Sequence, residues 1–325
     1  MRRWAVPLAV LGFSHAAGAA ELEYLRGPAG YEPGYQVIQT PAQEWNAAGG
    51  GSAVAAPPVP SCLVNDIARA NQQASLDFIE TQVWYGPEII SPAPQGFGPA
   101  GVPLDGEKGW VPGVRVTGAY MEEFGPICNL YVSGAFSWLN GHTNYWASIG
   151  PTLSNVDGAR VENSDFRLGK GFNVGPNGMI TPYFGGGTRW WDRLLTGPLG
   201  YNEVYRHDYA GLGLLVQYSP APGWVLSANG LVGGTFSASL ASSLTPGGAN
   251  TVCVCTFPLG SSTTYKAGGS VDYAMTEHLH ANAGIDYTYF KYGQSPVVPF
   301  GAFAFLEPNS KTSDTTLSVG LGYHW

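Results

Sequence analysis

His207 and Asp208 adjoin in "VYRHDYAGL", the carboxylates of Asp165, Asp272 and Asp286 lie further off, and Cys253 and Cys255 stand two apart in "TVCVCTF". A histidine held by a carboxylate can work as a general base, and paired thiols can bind a metal or close a disulfide. Spacing argues against most of this chemistry. Neighbours on an extended strand point to opposite faces, so His207 and Asp208 cannot form a dyad. His207 could reach Asp165 or Asp286 only across an enclosed space, where such pairs are more often structural than catalytic. His142, His278, His280 and His324 are scattered, which predicts no metal site and no cofactor. There is no Gly-x-Ser-x-Gly elbow, no His-Glu-x-x-His helix and no phosphate loop, and the glycines of "FGGGT" and "LVGGT" read as small residues within strands.

The elements that would carry these residues show best in "TLSVGLGYHW". With period two, Thr315, Leu317, Val319, Leu321, Tyr323 and Trp325 share one face, and Thr316, Ser318, Gly320, Gly322 and His324 the other. An apolar face backed by a small polar one suits a strand between lipid and a polar interior. From residue 75 onward, alternating stretches recur with turn residues between them, and ten can be counted. Connections 122–127, 174–178, 219–223 and 276–278 are short, 193–202 is intermediate, and 88–109, 140–157, 241–262 and 292–313 are long. The pattern predicts an all-β fold, an antiparallel up-and-down transmembrane β-barrel of about ten strands. Eight or twelve stay open, since "PVVPFGAFAF" could add a strand. Charged residues are 12% and aromatics 13%, with 46 glycines, as expected for membrane strands, and a net charge of −8 argues against a nucleic-acid partner.

The alternation then assigns the charges. Glu80, Arg115, Asp165, Arg167, Arg189, Lys266, Asp272 and Asp286 fall on the polar phase and are expected to form a lumen charge network, because a charge facing lipid costs up to about 2–4 kcal/mol. Ile79, Thr81, Val83 and Tyr85 take the opposite face of the first strand. A barrel this small is filled by side chains, so a salt-bridged plug is favoured over an ion or substrate path. Aromatic girdles are expected from Trp84, Tyr85, Trp110, Trp138, Trp190, Trp191, Tyr205, Tyr287 and Tyr289 at the loop ends. Tyr120, Phe172, Tyr218, Trp224, Tyr323 and Trp325 would form the other girdle at the turn ends.

"MRRWAVPLAVLGFSHAAGAA" has two arginines, a short apolar core and small residues, and reads as a cleaved signal peptide over residues 1–20. Residues 21–74 read as a flexible Pro/Gly/Ala-rich arm with a short helix within "CLVNDIARANQQ", and 75–325 as the barrel. In an exported chain, Cys62 with Cys128 and Cys253 with Cys255 are candidate disulfides. The first would pin the arm to the barrel base.

Signal, alternating strands and the terminal "LSVGLGYHW" together resemble the Gram-negative outer-membrane β-barrel proteins. The resemblance implies a cell outer-membrane location, outer-membrane lipid as surroundings, and a periplasmic arm. It also implies that Leu321, Tyr323 and Trp325 form the signal read by the barrel-assembly machinery. The ten-stranded omptin proteases of that class carry paired acidic residues facing an aspartate and a histidine, whereas this chain lacks an Asp-x-Asp pair. The resulting expectation is a structural or surface-interacting protein without enzymatic activity, whose long loops meet an extracellular ligand. A narrow channel or porin is the second reading and an omptin-like hydrolase the third.

Overall fold

The computed structural model describes residues 64–88, 105–147, 153–195, 199–246, 253–300 and 303–325. A short helix, α1 (Asn65–Ala70), leads into β1 (Gln73–Glu88), β2 (Asp105–Phe124), β3 (Ile127–Ala147), β4 (Leu153–Lys170), β5 (Phe172–Val174), β6 (Gly178–Leu195) and β7 (Leu199–Tyr218). There follow β8 (Trp224–Pro246), β9 (Cys253–Pro258), β10 (Thr263–Ala274), β11 (Leu279–Tyr292), β12 (Val298–Phe300), β13 (Phe303–Phe305) and β14 (Asn309–His324). Neighbouring strands pair antiparallel, and β1 with β14 and β8 with β10 close the sheet into a ten-stranded barrel. Here β5 prolongs the β4 stave along β6, and β9 prolongs the β10 stave along β8. Within "PVVPFGAFAF", Val298–Phe300 and Phe303–Phe305 pair as the separate two-stranded sheet β12–β13 and add nothing to the barrel. No helix among the described residues is long and apolar enough to cross a membrane.

Closure follows from the backbone. In hydrocarbon every N–H and C=O needs a partner, and a closed antiparallel sheet supplies one without leaving an edge. Three of the short turns hold a left-handed glycine, Gly125 (φ 59°), Gly175 (φ 67°) and Gly223 (φ 78°), where a side chain would be strained.

Six staves, β2, β3, β4, β6, β7 and β8, run 18 to 23 residues, about twice the 9–11 that cross a bilayer. Their outer faces show where the excess goes. On β3 the outward series Val132, Phe136, Trp138 gives way to Asn140, His142 and Asn144, and on β4 Leu168 and Phe166 give way to Glu162 and Arg160. Trp110, Trp138 and Trp190 therefore mark the upper rim of an apolar belt, and Tyr120, Phe172, Tyr218, Trp224, Tyr323 and Trp325 its lower rim. Above the belt the barrel wall continues into water. Much of what the sequence assigned to loops, such as 140–147 and 241–246, is this extended wall.

Candidate functional site: the filled lumen

Four layers occupy the interior between turn end and loop end. At the turn end α1 lies across the opening. Its Ile67 is fully buried with Met121, Tyr131, Met179, Leu215 and Val225. Polar anchors fix it: Asn71 Nδ2 donates to Gln217 Oε1 (2.7 Å), Ser219 Oγ to Asp66 (3.0 Å), and Arg69 to the carbonyl of Glu277 (2.9 Å).

The second layer is ionic. Arg115 bridges Asp77 (3.0 Å) and Asp286 (2.9 Å), Lys266 and the Tyr209 hydroxyl both bond Asp165, and Arg189 pairs with Asp314. Arg167 lies 5.1 Å over the Tyr183 ring and contacts Asn229. These groups line a cavity of about 300 Å³ that stretches from Asn71 to His207 and Phe290.

The third layer is aromatic. Tyr205 stacks on Tyr292 (5.5 Å between ring centres), Trp191 lies 5.6 Å from Tyr205, and Tyr85 packs edge-on against Trp191 (5.4 Å). His207 Nδ1 meets the Tyr292 hydroxyl at 2.7 Å, and its ring packs on Phe290.

The fourth layer, above the belt, surrounds one guanidinium. Arg193 bonds Glu107 (2.6 Å) and Glu203 (2.9 Å) and sits over the rings of Tyr85, Trp191, Tyr201 and Tyr205. Tyr201 donates to Asp157 (3.1 Å), Tyr145 to Asp105 (3.2 Å), and Tyr205 to Glu307 (2.8 Å). Five carboxylates thus share one cation. Burial raises the carboxyls of Asp157 to about 6, Glu307 to about 7 and Glu203 to about 8; neighbouring carboxylates push the same way and Arg193 opposes them.

Arg115, Asp165, Arg167, Arg189, Lys266, Asp272 and Asp286 all face the lumen, whereas Glu80 does not. Glu80 points outward and is exposed, and Ile79, Thr81, Val83 and Tyr85 are buried inside. The reversal has a physical cause. Glu80 stands at the upper edge of the belt, opposite Pro112 and Leu317, and from there upward the outer face of β1 turns to water while the inner face meets the aromatic layer, so the polar phase becomes the outer one. For the same reason Tyr85, Trp191 and Tyr205, expected in a girdle, are core residues.

Asp77 and Asp314 escaped detection, though Asp77 lies between the outward Leu76 and Phe78, a signal for an inward group. Arg193, Glu107, Asp157 and Glu307 were hidden in segments read as connections, and Glu203 stood at the first position of a strand. Leu321, Tyr323 and Trp325 lie exposed on the outer face of β14. Among the described residues no cysteine is a free thiol, Cys128 sits beside the β2–β3 turn and Cys255 on β9, while Cys62 lies outside the described residues.

No known family profile matches the sequence, and no curated protein matches it closely enough to name. Solved structures do match. The outer-membrane protease OmpT of Escherichia coli superposes with a TM-score of 0.53 at 10% identity, over 78% of this chain and 97% of that one. The translocator domain of the autotransporter NalP of Neisseria meningitidis (TM-score 0.34, 16% identity, 81% and 92% covered) and OprG of Pseudomonas aeruginosa (0.29, 12%, 78% and 96%) match more loosely. At these identities the likeness concerns the fold. The fold is that of the Gram-negative outer-membrane β-barrels, a closed ring of ten antiparallel strands.

Proposed function

We propose that this protein is a closed outer-membrane barrel with a structural or surface-interaction role, exposing its long loops to an extracellular ligand and passing no solute through its centre. The observation that carries this reading is that the lumen cavity is closed at both ends, by α1 at the turn end and by the aromatic layer and Arg193 cage at the loop end. On this orientation the turn end and α1 face the periplasm. In this reading Leu321, Tyr323 and Trp325 are read by the assembly machinery.

The same reading is non-catalytic. Among the described residues the carboxylate-rich cage contains no histidine, and His207 is engaged with Tyr292 and Phe290 in the aromatic layer. Purified protein in planar bilayers is expected to show no steady conductance, and a stable ohmic current would overturn the closed-barrel reading. Peptide-cleavage assays on wild type and His207→Ala should be equally silent; cleavage lost in the variant would establish a hydrolase instead.

A further inference from the structure

The strand register brings together two histidines that look unrelated in sequence. His280 on β11 pairs with Gly322 of β14, so His324, two residues on, shares its inner face, and their ring centres stand 6.1 Å apart. Each ring has its Nδ1 committed to an acceptor. His280 Nδ1 lies 2.6 Å from an Asp272 carboxylate oxygen, and His324 Nδ1 lies 2.7 Å from the carbonyl of Gln72. Both acceptors require the proton on Nδ1, which leaves both Nε2 atoms with a lone pair in the neutral form. His280 is 1% exposed, and its Nε2 has no hydrogen-bond partner.

A third acceptor stands beside them. Gln73, paired with His324 across the β1–β14 seam, spends its amide N–H groups on Asp272 (2.9 Å) and the Ala70 carbonyl (2.8 Å). Its buried Oε1, next to Gly322, is likewise unpartnered. Acceptors gathered without a donor call for a cation or a proton. A histidine whose other nitrogen donates to a carboxylate or a backbone carbonyl is the usual arrangement behind a metal ligand. An ion about 2.1 Å from two Nε2 atoms sets the ring centres about 5–6 Å apart, close to the spacing found.

We propose that His280 and His324, with the Gln73 amide oxygen, bind one divalent transition-metal ion at the turn end of the barrel, oriented by Asp272 and the Gln72 carbonyl. No third His, Cys, Asp or Glu completes a metal group among the described residues, so water fills the remaining positions. Two imidazole donors select Cu²⁺, Zn²⁺ or Ni²⁺ over Mg²⁺ or Ca²⁺. The approach runs through the surface recess lined by Arg69, His278, His324 and Trp325. A bound ion would join β1, β11 and β14, the strands around the seam.

Full-length barrel in detergent, stripped with chelator, is titrated calorimetrically with Zn²⁺ and with Cu²⁺, and the copper form is examined by electron paramagnetic resonance. One ion per barrel with hyperfine coupling to two imidazole nitrogens is expected. His324→Ala should abolish binding, Asp272→Asn should weaken it roughly 10–100-fold, and His142→Ala, exposed on the outer face of β3, should leave it unchanged. Circular dichroism on each variant separates lost binding from lost folding. Absence of saturable binding by folded wild type, or binding that survives His324→Ala, overturns the site and assigns the orphaned atoms to water or to protonated His280. The conductance result above is independent of either outcome.

Discussion

Arg193 shows most plainly how a single residue is held. Its side chain is 2% exposed and bonds Glu107 and Glu203, so removing its charge strands carboxylates in a dry site. Breaking a buried pair by deleting one partner costs about 3–5 kcal/mol, and Arg193→Met should lower unfolding stability in denaturant titrations by that amount near neutral pH. The loss should shrink at pH 5, where Asp157, Glu307 and Glu203 carry protons. Asp157, Glu307 and Glu203, raised to about 6, 7 and 8, keep protons in the fold that an unfolded chain sheds near pH 4. Stability from these groups is therefore full below about pH 4 and drains away as pH climbs through 6 to 8. Once the base-catalysed rise of the intrinsic rate is removed, hydrogen exchange should show the loop end of β6 and β7 opening more readily at pH 9 than at pH 5, with belt protection factors unchanged. Glu203→Gln should flatten that response, and an equal response in both proteins would refute the assignment.

At the scale of elements, close backbone approach sets the register. A Cβ on Gly187 of β6 would collide with the Ser164 carbonyl of β4, and one on Gly233 of β8 with the Ala210 carbonyl of β7. Gly187→Val should slow folding into micelles or cut its yield severalfold, whereas the exposed Gly118→Val, whose Cβ meets nothing, should be tolerated. Strand alternation within the belt was legible because lipid and lumen impose opposite demands on successive residues, as Leu317 to Trp325 display. The glycine turns were legible because positive φ excludes most side chains. The upper wall was not, since water outside and aromatic core inside invert the pattern: Glu80 read as inward and Tyr85 as outward by a rule valid only a few residues lower. The Arg193 cage assembles β2, β4, β6 and β7 with Glu307 from a connection, and no local spacing announces such a meeting. The same holds for His280 and His324, which only register makes neighbours.

For the whole molecule, α1 below and the aromatic layer above, with the Arg193 cage that rests on Trp191 and Tyr205, should block the lumen in series. Replacing residues 65–71 by a Gly/Ser linker removes α1 yet leaves Trp191, Tyr205 and Tyr292 packed across the barrel. That variant is expected to stay silent in planar bilayers. Combining it with Trp191→Ala and Tyr205→Ala should produce measurable conductance, and current from the linker variant alone would show that the aromatic layer is no seal.

The strand that completes the ring is the last one, with Gln73 opposite His324 and Glu88 opposite Asn309. Until β14 is in place the sheet has two raw margins and nowhere to hide them. Closure is therefore a single event that joins the first and last staves, and β1 gains its second partner only when β14 arrives.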